Sequence, residues 1–473
     1  MTKIEVKNIN LGGISNSDYQ GSENSVAECV NLDIHSKVGV VRLNHKMSKI
    51  SDVSMDNDVY TIVSCSNGKR YFFGKVAGRI YEYDGTSFTL RYTDTHGGIM
   101  DASEYQGYIY WATKDYLHRV AIANVATWNL SKNNEWGTFT NKSDYHPFYQ
   151  LNLTLYIGDE NLVAVVEDGA FVPNGLDIPT EETILTLGEN LGNELLIGSI
   201  VGQSGYGFIR RWNTWSGSYT SEDIVKAGGV YAMLDVDNTT CALVGKNGDI
   251  AQYVSDVLTN VKTIKGDFLD NTLETNHKAV ANIRGLSLFG LYNGTANTNG
   301  IWSYGSIFSR YSKVINTEFI LSNGKTSGFL DMKLGKGQSN IYCSWKHYDA
   351  ATTTTTYGID KYDSTKYQDD GYFVTRIMEV DRTELTQFGK AIVAYESLPT
   401  GTSIEMYKKV NHGSWVKLDT IIDTDRNIIS SDVSIENATT LQIKVVLKTN
   451  TAKTATPIVE SLTINVWAII LTT

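Results

Sequence analysis

Proline and cysteine are scarce in this chain, 5 and 4 of 473 residues. So little proline excludes a collagenous or polyproline-rich architecture. Cys29, Cys65, Cys241 and Cys343 are scattered with no C-x-x-C pair, which excludes a zinc knuckle and a disulfide scaffold. They are expected as free, mostly buried thiols of a protein folding in a reducing cytosol. Long apolar runs are also missing. Val466 to Leu471, the longest near the end, is far short of a membrane span, and Met-Thr-Lys-Ile-Glu-Val at the start has no signal-peptide core. A soluble chain with no membrane insertion is expected.

Positive charge is the third shortage. The formal net charge is −11, so the field of the whole molecule repels phosphate backbones and specific nucleic-acid binding is not expected. The deficit is local: residues 143–209 hold no Lys or Arg but carry Asp144, Asp159, Glu160, Glu167, Asp168, Asp177, Glu181, Glu182, Glu189 and Glu194. Asp159, Glu160, Glu167, Asp168, Glu181 and Glu182 are expected to form an acidic surface.

What is abundant is 41 Gly and 28 Tyr, with 9 Trp and many Asn, Ser and Thr, a composition suited to short strands and tight turns. A unit of three mostly apolar residues followed by a small one recurs: Tyr71-Phe72-Phe73-Gly74, Ile109-Tyr110-Trp111-Ala112, Leu155-Tyr156-Ile157-Gly158, Leu195-Leu196-Ile197-Gly198, Ala242-Leu243-Val244-Gly245, Ser287-Leu288-Phe289-Gly290 and Ile341-Tyr342-Cys343-Ser344. The small residues are 38, 46, 40, 47, 45 and 54 positions apart. A period of about 40–50 residues with strand texture is the signature of a β-propeller, each blade a four-stranded antiparallel sheet. The competing reading is a row of β-sandwiches. Asn67-Gly68, Asp84-Gly85, Asp168-Gly169, Asn247-Gly248, Asn293-Gly294 and Asn323-Gly324 are placed as type I′ hairpin turns between apolar runs.

The fold expected is therefore all-β: a β-propeller of about seven four-stranded blades over residues 51–369, then a C-terminal β-sandwich over 370–473, where alternating segments recur at closer spacing. Residues 1–50 are expected to form an N-terminal arm and a ring-closing strand, with Ile4 to Ile9 or Val38 to Leu43 the candidates and the polar stretch from Gly12 to Glu28 an extended arm free to add to a neighbour's sheet.

Searches for chemistry mostly fail. Asn323-Gly324-Lys325-Thr326 ends like a phosphate loop but has Phe319 where that loop needs Gly. Asp423-Thr424-Asp425-Arg426-Asn427 begins like a calcium loop, but Ile428 stands at the turn glycine and Ser434 at the bidentate Glu. The 8 histidines are dispersed. No catalytic residue, metal or cofactor is assigned. A propeller glycosidase would need two carboxylates, for which Glu167, Glu181 and Glu182 are candidates. Glycan held without cleavage would use exposed aromatics, with Trp212, Trp215, Tyr219 and Trp415 the candidates.

Leu11-Gly12-Gly13-Ile14, Asn24-Ser25-Val26-Ala27-Glu28, Leu32-Asp33-Ile34-His35-Ser36 and Val38-Gly39-Val40-Val41-Arg42 resemble the start of tail-associated structural proteins of tailed bacteriophages. Leu195-Leu196-Ile197-Gly198, Arg210-Arg211-Trp212-Asn213-Thr214-Trp215 and Gly285 to Gly290 resemble the body of the same propeller group, and Leu398-Pro399-Thr400-Gly401-Thr402-Ser403 with Gly413-Ser414-Trp415 is similar to sandwich modules of phage tails. The resemblance implies a structural virion component of nozzle, hub or tail-tip type, assembled in the host cytoplasm. Its partners would be other tail proteins and copies of itself in a ring, and it would form part of the DNA-ejection conduit, acidic loops facing the DNA. A host-surface glycan receptor binder is the alternative, and a polysaccharide-degrading enzyme comes third.

Overall fold

A computed structural model describes residues 2–469 except 16, 23, 51–57, 191–192, 203–205, 227, 237–238, 246–247, 255–256, 265–274, 284, 293–298, 308–311, 325–326, 337–339, 380–384, 423–427 and 436–438. Asn293-Gly294, Asn247, Lys325-Thr326 and the Asp423–Asn427 stretch lie outside the described residues.

The chain is all-β, and six four-stranded antiparallel sheets, with a seventh set of four strands that belongs to a larger sheet, form a propeller. The second strands of the seven blades are Arg70–Gly74, Tyr108–Ala112, Thr154–Asp159, Glu194–Val201, Thr239–Val244, Leu286–Leu291 and Ile341–Asp349. All seven recurrent units fall on these strands, Gly245 just past the end of its own. A second strand is covered on both faces by neighbouring blades, so it reads as a continuous apolar run. Its small residue makes room for the next blade. A Cβ on Gly158 would lie 2.9 Å from Ile184 of the fourth blade, and one on Gly198 would lie 2.7 Å from Val230 of the fifth.

Turn geometry is less uniform than the sequence suggests. Asp168 and Gly169 both have positive φ, 48° and 75°, as a type I′ turn requires. At Asn67-Gly68, Asp84-Gly85 and Asn323-Gly324 only the glycine does.

The seventh blade takes its outer strand from the N-terminal part of the chain. His45–Lys49 pairs antiparallel with Thr354–Tyr367, Tyr362 opposite Met47, and the first strands of blades seven and one then pack side by side. Neither candidate closing strand has this place. Thr2–Lys7 pairs with Ile458–Ile469, and Val41–Leu43 pairs with Leu32–Asp33 and with the start of Ile458–Ile469. An outer strand packs one face only, and here a single buried apolar side chain, Met47, suffices.

The C-terminal strands form a sandwich completed by the N-terminal residues. One sheet joins Thr2–Lys7, Leu32–Asp33 and Val41–Leu43 to Ile458–Ile469, Leu385–Tyr395 and Ile428–Ile435. The other joins Val26–Val30 to Asp370–Thr375, Thr440–Lys448, Ser403–Val410 and Val416–Ile421. Alternate residues Leu441, Ile443, Val445 and Leu447 enter the shared core with Phe373, Ile404, Leu462 and Ile464. Most of the expected free arm is therefore packed into the fold, with residues 19–22 exposed. Ile9–Gly12 is one helical turn, the Ile14 amide donates to the Ile315 carbonyl at 2.9 Å, and Val26–Val30 meets Val314–Phe319 in parallel. That last pairing makes one ten-stranded sheet that runs from the sixth blade into the sandwich, and a single apolar core spans both. All four cysteines are buried and free. No described helix is long and apolar enough to cross a membrane.

Candidate functional site

The candidate glycan aromatics do not converge. Trp212 is 2% exposed, edge-on to Tyr156 with ring centroids 5.8 Å apart, and its indole N–H donates to the Ser216 carbonyl at 2.8 Å. It is a core residue, because it ends a strand on the inward phase. Trp215, three residues on in the loop, is 85% exposed. Tyr219 is half-buried over the Arg210 guanidinium, 4.9 Å from its ring centroid. Trp415 is 36% exposed on the sandwich, beside the Lys409 ammonium.

The acidic surface also needs correction. Glu167, Asp168 and Glu181 are exposed and Glu160 is half-buried, but Asp159 and Glu182 are internal. Asp159 accepts the amides of Asn141 and Ser143 at 2.8 and 3.0 Å, fixing the loop into the third blade. Glu182 forms a two-pronged ion pair with buried Arg210 and accepts the Ser199 hydroxyl at 2.5 Å. Three hydrogen bonds thus commit the Glu182 carboxylate to structure, and Glu181 is exposed.

One cluster has metal-like spacing: ligand atoms of Asp94, His96 and His118 lie within 4.8 Å of one another. Its hydrogen bonds account for it without an ion. The Glu135 amide donates to His118 Nδ1 at 3.1 Å, so the ring proton belongs on Nε2, which lies 3.1 Å from Thr113 Oγ1. The Trp111 indole N–H donates to Asp94 at 2.7 Å. Burial pulls the His118 pKa down to about 4, so this ring is neutral and its one lone pair is used. The cluster locks the second blade.

A cavity of about 770 Å³ lies on the propeller axis, with walls from six blades or the loops that enter them. Its charged residues are Lys75, Asp331, Lys333 and, when protonated, His277. The Lys75 and Lys333 ammoniums each sit 4.8 Å from the centroid of the buried Tyr60 ring. Lys333 is ion-paired with Asp331, which also accepts Asn276 Nδ2 at 3.1 Å. Burial pulls the Lys333 pKa down and pushes that of Tyr60 up.

Beneath this wall Asp101 ties three blades together. It accepts the Phe148 amide at 2.9 Å and meets the Lys278 ammonium at 2.9 Å and His277 Nε2 at 3.2 Å. Burial alone would raise the Asp101 pKa, but Lys278 and His277 hold it below the usual carboxylate value. No local pattern announces this site, because its residues come from segments up to 273 positions apart, from Tyr60 to Lys333.

No family model and no curated protein matches the chain. Similar solved structures include the extracellular domain of a hybrid two component system protein from B. thetaiotaomicron, at 14% identity and a TM-score of 0.43, covering 80% of this chain and 47% of that one. The chain thus spans about half the length of that protein. Streptogramin B lyase aligns over 68% of this chain and 98% of its own at 13% identity and a TM-score of 0.45. The Pan2 WD40 domain of Neurospora crassa aligns over 69% and 97% at 8% identity and a TM-score of 0.41.

Proposed function

We propose that the chain is a structural component of a bacteriophage tail, of nozzle, hub or tail-tip type, assembled with other tail proteins and with copies of itself around the tail axis. The observation that carries this reading is the ten-stranded sheet joining the sixth blade to the sandwich. A sheet and core shared by two modules resist relative motion, which suits a part that transmits force and continues a conduit better than one that opens and closes on a substrate. Two of the stretches that resemble tail proteins lie at contacts: Leu11 to Ile14 packs against the sixth blade, and Leu195 to Gly198 is a blade-to-blade contact strand. The reading assigns no reaction to the chain. Quantitative mass spectrometry of purified particles of the encoding phage tests it, with a fixed low copy number per virion expected; absence from particles overturns it.

A second reading, attachment to a host-surface glycan, is favoured by Trp215, which projects from the fourth blade at 85% exposure. Protein that blocks phage adsorption, and loses this on Trp215→Ala, would support it. Failure of the intact protein to bind host cells would end it.

A further inference from the structure

We infer that the axial cavity is a binding site for an acidic saccharide, a uronic acid unit of a short oligosaccharide. The inference does not depend on the tail reading. At about 770 Å³ the cavity falls within the range of about 300–1,000 Å³ typical of small-molecule sites.

Its charge identifies the sign of the ligand. Lys333 is satisfied by Asp331, Lys278 by Asp101, and Lys346 by Asp58 at 3.3 Å. His277 has its pKa lowered by burial and is neutral at pH 7. Lys75 has no carboxylate partner among the described residues, and its ammonium rests on the Tyr60 ring face. One uncompensated positive charge remains in the wall. Lys75 is half-buried in that wall, and a ligand carboxylate would give its ammonium a charge-assisted hydrogen bond. A neutral sugar would leave Lys75 as it is.

The other walls suit hydroxyl groups. Thr275 is 6% exposed, lines the cavity, and its hydroxyl has no hydrogen-bond partner among the described residues. Asn276 and Asp331 beside it are bonded to each other at 3.1 Å, so the Thr275 hydroxyl is the group left to a ligand on this wall. Tyr145, Tyr231 and Tyr292 also line the cavity, aromatic side chains with polar edges of the kind that pack on a sugar ring.

Titration calorimetry of the full chain with trigalacturonate tests this, with its methyl ester as a probe of equal backbone shape and no charge. Saturable trigalacturonate binding is expected, at least tenfold weaker for the ester. Lys75→Met should weaken binding tenfold or more, while Lys75→Arg retains it and both variants keep the wild-type thermal midpoint. Thr275→Val reads the hydroxyl separately and should weaken binding severalfold. The inference is overturned by no heat of binding at millimolar trigalacturonate, by equal binding of the ester, by Lys75→Met binding unchanged, or by inorganic phosphate displacing trigalacturonate at lower concentration.

Discussion

Replacing Gly198 by alanine tests the reasoning that links the sequence repeat to the ring. The new Cβ would lie 2.7 Å from Thr186 Cγ2 and 2.7 Å from Val230 Cγ1, well inside the roughly 3.5–4.0 Å at which carbon atoms pack. Thr186 and Val230 are buried, β-branched and held in first strands of adjacent blades, so neither has a ready rotamer to yield. Overpacking of this kind costs about 1–3 kcal/mol, and lower unfolded-chain entropy returns about 0.4–1 kcal/mol of it. A net loss of about 1–2 kcal/mol follows. Gly217 is the control, since a Cβ there meets nothing within 4 Å, and Gly217→Ala should change stability by no more than about 0.5 kcal/mol. Gly158→Ala should resemble Gly198→Ala, its Cβ being 2.8 Å from Pro147. Urea midpoints followed by tryptophan fluorescence give the comparison. Equal midpoints for Gly198→Ala and the wild type, or equal losses at Gly198 and Gly217, would refute the account of the small residue as a blade spacer.

Glu182→Gln should destabilise by about 3 kcal/mol, at the low end for a broken buried ion pair because Glu222 also reaches Arg210 at 3.1 Å, while exposed Glu181→Gln stays within about 0.5 kcal/mol, both read as urea midpoints. Met47→Asp should open the seventh blade, seen as faster proteolysis near residues 45–60 with the sandwich core still protected; unchanged proteolysis would count against closure by this strand. Stability should fall as pH drops from about 6.5 towards 4. Burial depresses the folded pKa of His118, to about 4, and also those of His146 and His277, so the unfolded chain takes up their protons first. His96 opposes this: despite its burial, Asp94 and Glu135 raise its pKa, giving stability that is full below 6.5 and lost as pH rises through the folded value. The His45 pKa is lowered by burial as well, so one opposing histidine against four leaves the net slope downward, and a urea midpoint that is flat or higher at pH 5 than at pH 7 would contradict it.

The seven blades are legible because their second strands are apolar on both faces and end small, a constraint written in adjacent residues. The closing strand is not, since His45-Lys46-Met47-Ser48-Lys49 packs one face and reads as polar. Pairing of Thr2–Lys7 with Ile458–Ile469 joins the two ends of the chain, and no local pattern encodes it. Among site residues, the strand ends separate neighbours that composition treats alike: Glu181 in the turn faces solvent while Glu182 begins the strand and is buried, and Trp215 projects from the loop after the strand that buries Trp212. The axial cavity is illegible for a different reason, because Tyr60, Lys75, Thr275 and Lys333 meet only once the ring has closed.

Cryo-electron microscopy of the intact particle of the encoding phage tests the central claim most directly. The account predicts copies of a seven-bladed body, rigidly joined to its sandwich, repeated around the tail axis. A complete tail reconstruction with no density matching this body would contradict it.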